Sequence, residues 1–322
     1  MLTKELRSFD SKIQNEILDM RKIIGTTHKF VSFNLCSFEE ITHESIQFGM
    51  NIVKLNVQSG QLKKFYFNHI LNGSGEKLEC MVPILNAYLS GENACVIVHG
   101  ETGSGKSTSM YGTVHCPMSN EKGIISVALD YLLGKSHKLH VSFVEYYNGK
   151  WADLLSDNVT MEDKPLKECH EYEIKSIEDI QPFLKNVLQK RNTKSTNQNM
   201  RSSRSNAVMI LSNGKSKMLF VDMAGNENIE DKENIKETCS INKSLSQLNT
   251  VLVYKSQRKK HPPYRDDAFT LYLKPYLEKN KAVVFFHVRK ENIVKDLLKI
   301  HTIVGMKAIE NEVSPKKNAY LR

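Results

Sequence analysis

The residues best suited to chemistry lie in one short run, Gly100-Glu101-Thr102-Gly103-Ser104-Gly105-Lys106-Ser107, which fits the pattern G-x-x-x-x-G-K-[ST]. It follows the apolar stretch ACVIV and opens a helical stretch, the context in which that pattern acts as a phosphate cradle. Gly100, Gly103 and Gly105, with Thr102 and Ser104 between them, let backbone N–H groups curl around phosphate oxygens, and the start of a helix adds partial positive charge. Lys106 is then placed to reach the β- and γ-phosphates and Ser107 to ligate Mg²⁺. No arrangement of His, Cys and Asp elsewhere suggests a nucleophile or a metal enzyme. His69, His99 and His287 stand beside or within strand-like runs without metal-ligand spacing and read as core or edge residues, and Tyr146, Tyr147 and Trp151 read as packing or loop residues.

Such a loop needs a strand behind it and a helix in front. Runs 65–71 (FYFNHIL), 94–100 (ACVIVHG), 141–148 (VSFVEYYN), 217–225 (KMLFVDMAG) and 282–288 (AVVFFHV) are strand candidates, separated by helical stretches such as 81–90, 177–192 and 238–256. This alternation predicts an α/β fold, a central mostly parallel sheet with helices on both faces. Residues 213–217 and 257–263 read as exposed loops. No repeat, low-complexity tract or linker divides the chain, so one domain of about 300 residues is expected.

The bulk numbers agree with that frame. The chain has 322 residues, 40% of them hydrophobic, enough to fill a substantial core. Its formal charge of +9 favours an anionic partner: nucleic acid, a membrane surface or an acidic protein lattice. The six cysteines are scattered without a CxxC pair, which suits reduced packing residues in the cytosol or nucleus. No signal core and no run of about 18 apolar residues is present. Within the first 25 residues, Leu2, Leu6, Phe9, Ile13, Ile17, Met20 and Ile24 recur at steps of three and four. That stripe suits either a helix docked on its own core or the end of a coiled coil continuing upstream.

Two further segments complete the constellation: Asn199-Met200-Arg201-Ser202-Ser203-Arg204-Ser205-Asn206 and Asp222-Met223-Ala224-Gly225-Asn226-Glu227. They resemble switch I (N-x-x-S-S-R-S-H) and switch II (D-L-A-G-S-E) of the kinesin motor domain family, and the loop resembles its G-Q-T-G-S-G-K-T. The resemblance extends over roughly residues 25–310 through VSFVEYYNGKWADLL, INKSLSQL, HPPYRDDAFTLYL and KAVVFFHV, in the family's order. It implies the kinesin P-loop NTPase fold, with residues 1–25 as a neck helix, 26–311 as the motor domain and 312–322 as a short tail able to mimic a neck linker. A coiled-coil-like helix ahead of the core makes the chain most similar to the C-terminal-motor, minus-end-directed class.

The resemblance assigns roles residue by residue. Gly100, Thr102, Gly103, Ser104, Gly105, Lys106 and Ser107 would hold ATP or ADP. Ser107 and Ser203 would complete the Mg²⁺ shell, and Asp222 would hold an Mg²⁺-bound water. The Gly225 N–H would sense the γ-phosphate, and Arg204 with Glu227 would close the site around the attacking water. The base side departs from the family. Its R-x-R-P signature aligns with Phe33-Asn34-Leu35-Cys36, and the position after Ser107, commonly aromatic or His, is Thr108. Asn206 and Asn226 replace the family His and Ser, and segment 156–176 is abbreviated. The helix with INKSL, the loop after it and the helix after PYR form the family's tubulin contact. Here they supply Lys243, Lys255, Arg258, Lys259, Lys260, His261, Arg265 and Lys274.

Three readings follow. In the first, a microtubule-binding, weakly or non-hydrolysing domain serves as one subunit of a heterodimer, joined through the coiled coil to a catalytic kinesin subunit, as in the non-catalytic partner subunits of fungi. It would act on spindle microtubules or the spindle pole, in cytoplasm or nucleus. The second is a divergent but active ATP-driven motor. The third, a nucleic-acid-binding P-loop domain, rests on charge alone, and no base-stacking or groove-reading motif accompanies it. Neither nucleic acid nor membrane is an expected partner.

Overall fold

The computed structural model describes residues 28–33, 46–48, 52–56, 62–66, 69–71, 77–114, 122–135, 139–157, 160–163, 165, 168–193, 204–225, 235–256, 259–278, 281–289 and 300. The expected neck helix (1–25) and tail (312–322) lie outside them. Strands β1 (His28–Phe33), β5 (His69–Leu71), β6 (Ala94–Gly100), β7 (Leu139–Tyr147), β8 (Lys150–Asp153), β9 (Tyr172–Ile174), β10 (Asn206–Ser212), β11 (Lys217–Asp222) and β12 (Ala282–Val288) form one sheet. Its order is β5-β1-β12-β6-β11-β10-β7-β8, with β9 also on β7. Strands β5, β1, β12, β6 and β11 pair in parallel, and β10 runs antiparallel between β11 and β7. A second sheet holds β2 (Ile46–Phe48), β3 (Ile52–Asn56) and β4 (Leu62–Tyr66). The expected strand FYFNHIL is therefore two strands, because its ends pair with different partners: β4 with β3 in the small sheet, β5 with β1 in the large one.

Ala94 to Val98 of β6 are all apolar because both faces of the sheet are covered. Ala94, Val96 and Val98 pack with side chains of α1 (Lys77–Leu89), α2 (Lys106–Tyr111), α3 (Ile124–Leu133) and α4 (Ile180–Thr193). Cys95 and Ile97 face the other way, onto α5 (Ile235–Ser256) and α6 (Ala268–Leu277). Trp151, 1% exposed, stacks among Tyr146, Phe269 and Tyr272 in that second core, in the packing role its sequence context suggests. His99 and His287 are likewise buried, and no disulfide links Cys80, Cys95 or Cys169. Among the described residues no helix is long and apolar enough to cross a membrane.

The topology brings the chemistry to one edge. The carboxyl ends of β6, β11 and β12 and, because β10 runs the opposite way, the amino end of β10 all meet there, where ligands of open α/β sheets bind. The register aligns Glu145, Ala207, Asp222, Val98 and Phe285 in one row, which aims Glu145 and Asp222 at the α4 face.

Candidate functional site

The loop between β6 and α2 is built as a cradle. Gly103 (φ +76°) and Gly105 (φ +84°) occupy the left-handed region, which lets the backbone turn sharply into α2. A Cβ on Gly100 would lie 2.4 Å from the main-chain oxygen of His287, so β12 presses against the loop from behind. Lys106, 7% exposed, donates from Nζ to the Glu101 main-chain oxygen at 2.8 Å. Ser107 Oγ donates to Asp222 Oδ2 at 2.9 Å, so the hydroxyl and carboxylate expected around a cation are already adjacent. Thr102 abuts Gly225: a Cβ there would fall 1.8 Å from Thr102 Oγ1, and only glycine permits this approach.

A residue the sequence reading passed over completes this wall. Arg191, 1% exposed near the end of α4, donates from Nη1 to Asp222 Oδ2 at 3.0 Å and from Nη2 to the Ser205 main-chain oxygen at 2.9 Å. Its Nε lies 3.9 Å from Glu145 Oε1, and Glu145 is fully buried. Burial works against the guanidinium charge, but Tyr111, Asp222 and Glu145 around it more than offset this and raise its pKa. Burial, then the Asp222 carboxylate, push the Tyr111 phenol well above its ordinary range. The sequence did carry a signal: Ile180, Phe183, Leu184, Val187 and Leu188 are the buried stripe of α4, and Arg191 continues its spacing. An arginine on an apolar stripe needs a buried anion.

Of the switch residues, Arg204 is buried (9% exposed) at the amino end of β10. Asn206 accepts the Ala224 N–H on its Oδ1 at 2.8 Å, which ties the first switch segment to the second. Ser203, Asn226 and Glu227 lie outside the described residues, as do residues 34–36 on the base side. Thr108 is exposed. Glycines that only a bare backbone fits, a buried lysine and an adjoining hydroxyl–carboxylate pair suit a nucleotide phosphate with a divalent cation. Among the described residues there is no group of three or more His, Cys, Asp or Glu that could hold a metal ion.

The basic candidates sit on α5, the loop after it and α6, all on the second face of the sheet. Lys243, Lys259, Lys260, His261 and Arg265 are exposed. Lys259 Nζ lies 5.0 Å from the centre of the Tyr254 ring. Lys255 and Lys274, both half-buried, are engaged with Glu278: Lys255 donates to the Glu278 main-chain oxygen at 2.8 Å, and Lys274 pairs with the Glu278 carboxylate at 3.5 Å. Burial lowers the Lys255 pKa. Arg258 lies outside the described residues. Asp267 fastens the two helices, capping α6 through the N–H groups of Phe269 (2.9 Å) and Thr270 (3.2 Å) and accepting Ser244 Oγ from α5 at 3.0 Å.

Comparison with known proteins places this arrangement. The chain is 27% identical over 279 residues to kinesin-like protein KIN-14C of Arabidopsis thaliana, covering 71% of this chain and 35% of that protein. It is 30% identical over 262 residues to KIN-14A of Oryza sativa subsp. japonica, covering 71% of this chain and 27% of that one. It therefore spans about a third of the length of the curated relatives it matches. A solved KIF14 motor dimer, with AMP-PNP in complex with a microtubule, superposes with a TM-score of 0.68 at 24% identity, over 87% of this chain and 93% of that one. The family model "Kinesin motor domain" matches residues 35–295, so the chain belongs to the kinesin motor domain family.

Proposed function

We propose that this chain is the microtubule-binding motor domain of a minus-end-type kinesin, and that it turns over ATP weakly or not at all while a catalytic kinesin subunit, joined through a coiled coil at residues 1–25, does the hydrolysis. The observation that carries this reading is the contrast between two surfaces. The α5–α6 face is basic and fastened by Asp267, whereas the sequence carries Phe33-Asn34-Leu35-Cys36 where the family has its R-x-R-P run, and an exposed Thr108 where the family has an aromatic residue or His. The KIN-14 relatives support the class. Tubulin is acidic, so exposed Lys243, Lys259, Lys260 and Arg265 would grip it through charge.

Bound nucleotide with magnesium would supply the phosphoryl chemistry. Lys106 would hold its phosphates, and Ser107, Ser203 and Asp222 would orient the cation and its water. Arg191 fixes the Asp222 carboxylate for that task. Arg204 with Glu227 would close the site. Lost base stacking weakens nucleotide binding by a few kcal/mol, about 1.4 kcal/mol being tenfold. The adjoining Ser107–Asp222 pair favours the second reading, a divergent but active motor.

Steady-state ATP hydrolysis with and without microtubules, with labelled-analogue binding and Lys106→Ala as control, separates the two. The proposal expects microtubule cosedimentation without stimulated turnover. Turnover that the control abolishes makes the chain a divergent motor, and preference for DNA over microtubules in competition sinks both.

A further inference from the structure

One ion pair at the mouth of the cradle belongs to none of the roles above. Glu101 stands where the family loop has glutamine, and its carboxylate Oε2 is in contact with Nη2 of Arg289. Both side chains are withdrawn from solvent, at 11% and 30% exposure. The same Glu101 takes the Lys106 ammonium on its main-chain oxygen at 2.8 Å. Arg289 directly follows β12, in which His287 is in register with Gly100 of the cradle and Val288 with Phe33 of β1. It thus leaves the sheet between the phosphate loop and the strand end where the family carries its R-x-R-P arginines.

We propose that Glu101 and Arg289 form a charge lock on the cradle, in which a carboxylate engages an arginine that would otherwise attract a nucleoside di- or triphosphate. This rests on the reading of the loop as a nucleotide-phosphate site. As a pair the two present no net charge to an incoming polyanion. With Glu101 neutralised, Arg289 adds a cation beside the phosphates. With Arg289 removed, Glu101 leaves a buried anion there, and anions repel. The lock therefore holds affinity down by chain-specific electrostatics, separately from any loss on the base side.

The test measures binding of a fluorescent ADP analogue with Mg²⁺ to the full chain and to Glu101→Gln, Arg289→Ala and the double variant, with inorganic pyrophosphate as competitor. Glu101→Gln is expected to tighten binding about tenfold, Arg289→Ala to weaken it about tenfold, and the double variant to return toward the parent value. Should the parent bind below detection, Glu101→Gln alone decides: measurable binding supports the lock and none overturns it. A pair that merely braces the loop would make both single variants bind worse, which also overturns it. Microtubule cosedimentation without nucleotide is followed in parallel. Its loss in the parent chain counts against the proposed function, whereas the charge lock stands or falls on the order of nucleotide affinities.

Discussion

Arg191 Nη1 lies 3.0 Å from Asp222 Oδ2, the same carboxylate oxygen that accepts the Ser107 hydroxyl at 2.9 Å. One buried guanidinium therefore fixes the orientation of the acidic group at the end of β11 and, through it, the hydroxyl at the start of α2. Glu145 and the Ser205 main chain hold the guanidinium from its other sides. Asp222 would be poorly placed to serve a cation without this anchoring, since a second buried carboxylate, Glu145, shares the same row of the sheet.

Removing Arg191 leaves two buried carboxylates without their cation. Arg191→Ala is expected to lower the unfolding free energy by about 3–5 kcal/mol, read by denaturant titration. Arg191→Lys should recover only part of this, because an ammonium cannot reach Asp222 and Ser205 at once as the planar fork does. A loss below about 1 kcal/mol would show the network to be dispensable.

The glycines of the cradle separate two kinds of strain. Gly100→Ala drives a Cβ to 2.4 Å from the His287 main-chain oxygen, a backbone atom that cannot step aside, and is expected to cost about 1–3 kcal/mol or more in thermal denaturation. Gly103→Ala meets nothing within 4 Å, and only its φ of +76° is unfavourable, so it should cost about 1–2 kcal/mol. If Gly103→Ala proves the more damaging, β12 does not press tightly against the loop.

Much of this architecture was legible in the residues. ACVIVHG reads as a strand covered on both faces and is one, and the glycine–lysine run after it forms the cradle. Tertiary pairing decided what was missed. The run FYFNHIL divides between two sheets, and nothing local marks which neighbour each half will find. β10 (NAVMILS) was hidden behind the switch motif that runs into it. Arg191 and the Glu101–Arg289 pair join segments far apart in sequence, so residue type hinted at a need for partners without naming them. Asn206, a departure from the family pattern, proves to be a buried link between the switches.

Asp267 connects local structure to the proposed microtubule grip. Asp267→Ala removes the cap of α6 and the Ser244 partner on α5 together, for an expected loss of about 1–2 kcal/mol. Asp267→Asn, which keeps an acceptor, should lose less. The same order is expected in microtubule cosedimentation. Equal microtubule binding by parent and Asp267→Ala, despite lowered stability, would place the grip outside the α5–α6 junction.

The basic residues of that face should divide into two sets. Lys243, Lys259, Lys260 and Arg265 are exposed, whereas Lys255 and Lys274 are engaged with Glu278. Charge reversal in the first set is expected to weaken microtubule cosedimentation by about three- to tenfold per residue at low salt, with little change in stability. The effect should shrink as salt rises, because exposed charges are screened over about 8 Å at physiological ionic strength. Lys255→Ala and Lys274→Ala should do the reverse, shifting the melting temperature by a degree or so while altering lattice affinity less. A salt-independent microtubule affinity, or equal effects from both sets, would mean that this face meets the lattice by contacts other than its lysines.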